Sequence, residues 1–364
     1  MKTRILSYLL VFSMILALLP ASALAEGEST TTQHVTATVK HALDSSGAET
    51  GQITAQIEAY LTDKDNQSRT VKPCDIIFLI EQSTFMNTQN DTTQYGQERA
   101  DILKSMENLL QNLPAPTTGE HRVAIAGFGR INNSGSSDSY IESQHPGTRL
   151  SATQNPSLNT GYYTCNTDKS PVFHSQSGWT EWNRITDHND TTLPQMPDGY
   201  LANENYDDVF MSIDAAKAVI DVDKMVSWHA GASRMDAGLQ ITKQLAEIAK
   251  NHKDEDRNLI IFVAASSLPY QNGIGVQSLR PEAAQAAATE LKNKYNATIF
   301  GFGDFRALNL EDSSMTAEKQ RTQFNETMAG ICGNSTTLDG TPYFKGLSQV
   351  HDINEALNEL ADSD

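Results

Sequence analysis

Three segments of this chain bring carboxylate and hydroxyl oxygens to places where a sheet protein binds its ligands. They are Glu81-Gln82-Ser83-Thr84-Phe85-Met86, Gly231-Ala232-Ser233-Arg234-Met235-Asp236-Ala237-Gly238-Leu239 and Ala264-Ala265-Ser266-Ser267. The first and third directly follow apolar runs, and the second opens a helical pattern. In an open parallel sheet, ligands bind beyond the carboxyl ends of the strands. The strings of a zinc protease, a nucleophile elbow or a phosphate loop do not occur. With no nucleophile–base or paired-carboxylate set in view, the chain is not expected to be an enzyme. Asp63-Lys64-Asp65-Asn66 and Asp187-His188-Asn189-Asp190 have the outline of calcium loops but lack the central Gly and terminal Glu, and read as turns. His121, at a strand entrance, and His229, near the second loop, read as surface or structural histidines rather than proton switches.

The elements that would position those loops follow from periodicity. Asp75-Ile76-Ile77-Phe78-Leu79-Ile80, Val123 to Gly129, Leu259-Ile260-Ile261-Phe262-Val263 and Thr298 to Gly303 are continuous apolar runs, as expected of strands covered on both faces. Tyr343-Phe344 makes a short fifth strand. Between them, apolar residues recur at three- and four-residue steps. Ile102, Leu103, Met106, Leu109, Leu110 and Leu113 form one helix, stopped by Pro114. Asp214–Met225 and Met235–Lys250 read as two more, Pro281 opens another, and a last one carries Ile353, Leu357 and Leu360. Strands alternating with amphipathic helices give an α/β fold, a doubly wound, mostly parallel sheet of about six strands flanked by helices. Residues 76–80 and 259–263 are expected to be adjacent parallel strands.

Upstream, Val35, Ala37 and Val39 alternate with polar residues, as do Ile53, Ala55, Ile57, Ala59 and Leu61, with turn residues Asp44 to Gly47 between. A period of two on both sides of a turn predicts a β-hairpin outside the centre of the main sheet. The stretch 131–208 is polar yet holds Tyr162, Tyr163, Phe173, Trp179, Trp182, Tyr200 and Tyr206. Disordered segments are poor in aromatics, so an ordered insertion with a strand or two of its own is expected. Trp179 and Trp182 can stack on a sugar ring, anchor a protein partner or fold the insertion onto the domain.

The three loops, in this order, resemble those of the von Willebrand factor A family, whose first strand ends in D-x-S-x-S, whose second loop reads G-G-T-x-x-x-x-G-L and whose later loop reads T-D-G. Asp75 to Ile80 and Gly301-Phe302-Gly303-Asp304 resemble the flanking strands. The resemblance covers about residues 72–362, interrupted by the insertion, and implies a metal-ion-dependent adhesion site holding Mg²⁺ through hydroxyls and carboxylates, with one open position for a carboxylate of the partner. Here that set is eroded. Glu81 replaces the first Asp, Ser83 matches the first Ser, and Phe85 replaces the second. Ser233 stands for the Thr, and Ala265 replaces the last Asp. Glu81, Ser83 and Ser233 keep oxygen and only Glu81 carries charge. No cofactor is therefore expected beyond weak Mg²⁺ or Ca²⁺ association. All five positions are expected to converge, with Phe85 against the place a metal would occupy.

Bulk properties set the context. The chain has 364 residues and a formal charge of -18. Lys2 and Arg4, then an apolar run to Leu19, Pro20 and Ala23-Leu24-Ala25, have the pattern of a signal peptide over 1–25. Its removal takes the charge to -20. That balance argues against nucleic acid and anionic membrane as partners. Residues 26–71 read as linker and hairpin, and no transmembrane segment is expected. None of the three cysteines, Cys74, Cys165 and Cys332, forms a zinc-spaced pair. Cys74 enters the first strand from its amino end and Cys332 precedes the last strand, so a disulfide between them is expected, with Cys165 left over. The function expected is a secreted or cell-surface binding and adhesion module for an extracellular protein or glycan. The alternative is a structural component of a surface assembly or pilus tip.

Overall fold

The computed structural model describes residues 31–43, 49–63, 71–83, 94–129, 131, 159–175, 191–196, 200–221, 225, 233–252, 256–273, 276–303, 305, 315–333 and 344–345. Phe85, Trp179, Trp182, the signal-like residues 1–25 and the helix expected around Ile353 lie outside them. Contacts divide the chain into two compact units, Met1–Arg69 and Thr70–Asp364.

The first unit holds β1 (Thr31–Leu43) and β2 (Glu49–Asp63), paired antiparallel as a two-stranded sheet. The register sets Val35 opposite Ala59, Ala37 opposite Ile57 and Val39 opposite Ala55.

The second unit is a doubly wound α/β sheet. Its parallel heart is β3 (Cys74–Glu81), β4 (Arg122–Phe128), β8 (Asn258–Ala264) and β11 (Thr298–Phe302). β3 lies between β4 and β8, with Ile76 opposite Ile260 and Leu79 opposite Val263. β11 pairs with β8, and β12 (Phe344–Lys345) with β11. The sheet has eight strands rather than about six, because the insertion adds two antiparallel strands on the β4 side and the residues just after it add a third. β5 (Gly161–Cys165) pairs with β4, β6 (Pro171–Ser175) with β5, and the two-residue β7 (Met211–Ser212) with the start of β4.

The continuous apolar runs are explained by the two core layers, one on each face. Ile76, Phe78 and Ile80 pack with α1 (Gln94–Asn112) and α3 (Ile213–Val219). Ile77 and Leu79 pack with α4 (Met235–Asn251), α5 (Pro281–Tyr295) and α6 (Ala317–Cys332). Each fully buried Ile, Leu or Phe stabilises by about 1.5–3 kcal/mol, so these strands cannot slip by one residue without turning the layers inside out. The short α2 (Tyr206–Val209) closes the insertion.

Three elements depart from the sequence reading. The helix expected over Asp214–Met225 is α3 alone and ends at Val219, Ile220 having left the helical region at ψ 73. The hairpin β9 (Tyr270–Gly273) and β10 (Val276–Leu279) was not expected, nor was α6. α6 buries only Phe324, Met328, Ile331 and Cys332 as apolar residues beside Gln320 and Thr327, so its apolar stripe is thin. Its start was readable: the Thr316 side chain caps the helix by accepting from the Lys319 N–H at 3.3 Å.

The expected disulfide is not formed. Cys74, Cys165 and Cys332 are free thiols. Cys74 packs in the layer of Phe78 and Cys332 in the layer of Ile77, on the other side of the sheet. Nearness to one end of the sheet did not place them on one face. Burial pushes the Cys74 thiol up to about 11 and the Cys332 thiol to about 12.

Candidate functional site

The four central strands are parallel, so their carboxyl ends share one edge and the loops after them meet there. Glu81 is the last residue of β3 and is fully buried. Its Oε1 accepts from the hydroxyls of Ser83 and Ser267. Its Oε2 accepts from the backbone N–H of Ser266 at 2.8 Å and of Ser267 at 3.1 Å. Burial pushes the Glu81 carboxyl above its usual range, and the Ser267 hydroxyl, the Ser83 hydroxyl and the two backbone N–H groups oppose that push.

The other expected positions lie at the same edge. Ala265 is buried immediately before the two serines that cap Glu81, and its N–H donates to Phe302 O at 3.1 Å. Gly303 follows β11 with φ +146, and a Cβ there would run into the Ala265 carbonyl. Only glycine tolerates both the backbone region and the approach. Ser233 is fully buried before α4, and Arg234 N–H donates to Gly129 O, just past β4, at 2.9 Å. The Ser233 Oγ has no hydrogen-bond partner among the described residues. Thus Glu81, Ser83, Ser233 and Ala265 share one edge, and Glu81 and Ser83 touch.

Two features were not read from the sequence. Ser266 and Ser267 supply three of the four donors to Glu81, two of them backbone N–H groups that no side-chain pattern reveals. The second is a clasp to the insertion. Gln82 Nε2 donates to Asn159 O at 2.8 Å, Asn159 Nδ2 donates to Gln82 O at 2.5 Å, and the Tyr163 hydroxyl donates to Gln82 Oε1. Gly129 N–H adds a bond to Thr160 Oγ1 at 2.9 Å. Cβ atoms at Gly127 and Gly129 would collide with Gln82 and Asn159, so these glycines make room for the clasp.

Beneath α4 lies a buried charge cluster. Arg234 grips Asp236 through Nε at 2.8 Å and Nη2 at 3.0 Å, and Arg280 Nε lies 3.4 Å from the same carboxylate. Arg280 Nη2 also donates to Thr192 O at 2.5 Å. Burial works against the Asp236 carboxylate, yet the combined pull of Arg234 and Arg280 holds it below the usual range.

A divalent cation fits this donor set poorly. Mg²⁺ needs near-octahedral oxygens and gives up water reluctantly. Among the described residues, the loops after β3 and β8 offer one carboxylate, Glu81, whose two oxygens already accept four hydrogen bonds, with alanine where a second would stand, and the nearby Asp236 is taken up by Arg234 and Arg280. A carboxyl with a raised pKa also sets the proton in competition with the ion. Among the described residues, no group of three or more His, Cys, Asp or Glu side chains is arranged to hold a metal.

No family model matches the chain. No curated protein matches it either. Among solved structures, the chain is similar to the pilus adhesin SpaC from Lactobacillus rhamnosus GG, at 10% identity and TM-score 0.43, covering 84% of this chain and 32% of that one. It is also similar to proximal thread matrix protein 1 from the mussel byssus, at 12% identity and TM-score 0.39, covering 80% and 47%. A von Willebrand factor type A protein from Catenulispora acidiphila matches at 7% identity and TM-score 0.37, covering 92% and 51%. The chain spans between a third and a half of the length of these structures. The description of the fold as doubly wound α/β rests on the chain's own topology. Among the described residues no helix is long and apolar enough to cross a membrane.

Proposed function

We propose that this chain is a von Willebrand factor A-type binding module of the cell surface or its surroundings, acting by binding rather than by catalysis. It holds an extracellular protein or glycan through the carboxyl-edge loops and the insertion clasped to them, with little dependence on Mg²⁺. The surface setting rests on the signal-like pattern of residues 1–25. The observation that carries the reading is Glu81, whose two oxygens accept from Ser83, Ser266 and Ser267 where the family resemblance calls for an open metal position. Internal donors do the work of the cation, leaving recognition to the surrounding surface and, as the sequence suggests, to Trp179 and Trp182 of the insertion. The test is capture from arrays of extracellular proteins and glycans in Mg²⁺ and in chelator. The same partner held equally in both, and lost on Trp179→Ala or Trp182→Ala, is the expected result. Capture abolished by chelator would overturn the reading.

The alternative, a structural part of a surface assembly, is favoured by β1 and β2. A two-stranded ribbon is marginal on its own and gains stability from a covering layer.

A further inference from the structure

The opposite, amino edge of the sheet holds a second feature, independent of the function proposed above. A cavity of about 200 Å³ opens between the ends of α4 and α5, against the first residues of β3 and β8. Its floor carries Asp75, only 3% exposed. Asp75 Oδ1 accepts from the Tyr206 hydroxyl at 2.5 Å and from Arg257 Nε at 2.7 Å. Oδ2 has no partner among the described residues, yet it is not sealed from solvent, so it faces the cavity. At the rim Lys250 spends one N–H on Lys294 O at 3.4 Å. Asp256, which also pairs with Lys72 at 3.3 Å, His252 and Arg257 add polar groups to the lining, and Ala246, Ala249, Leu259 and the Tyr295 ring give it an apolar side.

This polarity selects a ligand class. The carboxylates of Asp75 and Asp256 balance the cations of Lys250 and Arg257, so net charge favours neither an ammonium ligand nor an anion, and an ammonium at Oδ2 would lie beside Arg257 at like charge. An anion would satisfy Lys250 but be repelled by the unpaired carboxylate oxygen. A neutral group that both donates and accepts satisfies each without leaving a buried partner bare. Adjacent hydroxyls do this, and the apolar wall suits the C–H face of a ring. Sites for drug-sized ligands occupy about 300–1,000 Å³, so a cavity of about 200 Å³ is of single-ring size. We infer that the amino-edge cavity binds one hydroxylated ring, a monosaccharide or the terminal sugar of a glycan, with a hydroxyl donating to Asp75 Oδ2 and another accepting from Lys250.

The experiment is titration of the full chain, followed by protein NMR, with free glucose, galactose, mannose, N-acetylglucosamine and N-acetylgalactosamine, and with free amino acids as controls. At least one sugar is expected to shift resonances of the cavity residues saturably. Asp75→Asn turns the amide NH₂ toward the cavity and exchanges acceptor for donor, weakening binding about tenfold or more, the equivalent of one hydrogen bond to a charged group. Should Asp75→Asn fail to fold, Ala249→Leu fills the cavity without touching the Asp75–Arg257 pair and abolishes the shifts. The inference is overturned if no sugar binds, if amino acids bind in place of sugars, or if sugar binding survives both substitutions.

Discussion

Glu81 and Asp75 are buried carboxylates at opposite ends of one eight-residue strand, and they are held in opposite ways. Glu81 is surrounded by neutral donors that occupy both oxygens. Asp75 is held by a guanidinium and a phenol on one oxygen, leaving the other to a cavity. Burial pushes both carboxyls up, so environment, not residue type, separates them. A carboxylate saturated by neutral donors closes a site. A carboxylate half-used by an ion pair leaves one open.

The largest way to break the comparison is Asp75→Ala. It removes the carboxylate that pairs with Arg257, whose side chain is 8% exposed and keeps its backbone acceptors Cys74 O and Glu120 O, and removing one partner of a buried pair costs about 3–5 kcal/mol. Urea denaturation checks this, and a loss under about 1 kcal/mol would mean the pair is solvated. Next comes Gly303→Ala, which drives a methyl into the Ala265 carbonyl at φ +146. A loss of about 2–3 kcal/mol is expected by the same measurement.

A third prediction sharpens the difference through pH. Because the folded Glu81 carboxyl has a raised pKa, the folded state binds its proton more readily than the unfolded state. Its contribution to stability is therefore present at low pH and is lost as pH rises above the ordinary glutamate range. Glu81→Gln removes this loss. Relative to the variant, the natural chain should lose stability with rising pH at a slope no steeper than about 1.4 kcal/mol per pH unit. A difference that does not change with pH would contradict the burial of the site.

The smallest effect concerns the cysteines. Reductant should leave the melting temperature unchanged, and thiol titration of the native protein should find Cys165 reactive while Cys74 and Cys332 wait for denaturant.

The central strands were legible because burial on both faces imposes unbroken apolar runs, as in Ile76 to Ile80 and Leu259 to Val263. What escaped was set by tertiary context. Cys74 and Cys332 look like partners when placed by sheet end, but Cys74 turns from β3 into one core layer while α6 carries Cys332 in the layer on the other face. α6 has too thin an apolar stripe to show as a periodic pattern, although its Thr316 cap was available. In the candidate site, the placement of Glu81, Ser83, Ser233 and Ala265 at the carboxyl edge followed from their positions after strands or before a helix. Ser266 and Ser267 were passed over because two of their contacts are made by backbone. The clasp of Gln82, Asn159 and Tyr163 joins residues too far apart in sequence to form a motif.

The central claim is that the carboxyl edge is closed by serine and backbone donors and does not need a cation. Calorimetric titration of the purified chain with Mg²⁺ and Mn²⁺ tests it most directly. The account predicts no saturable heat up to millimolar metal, in the natural chain and in Glu81→Ala alike. Micromolar binding that disappears in Glu81→Ala would contradict it and restore a metal-dependent site.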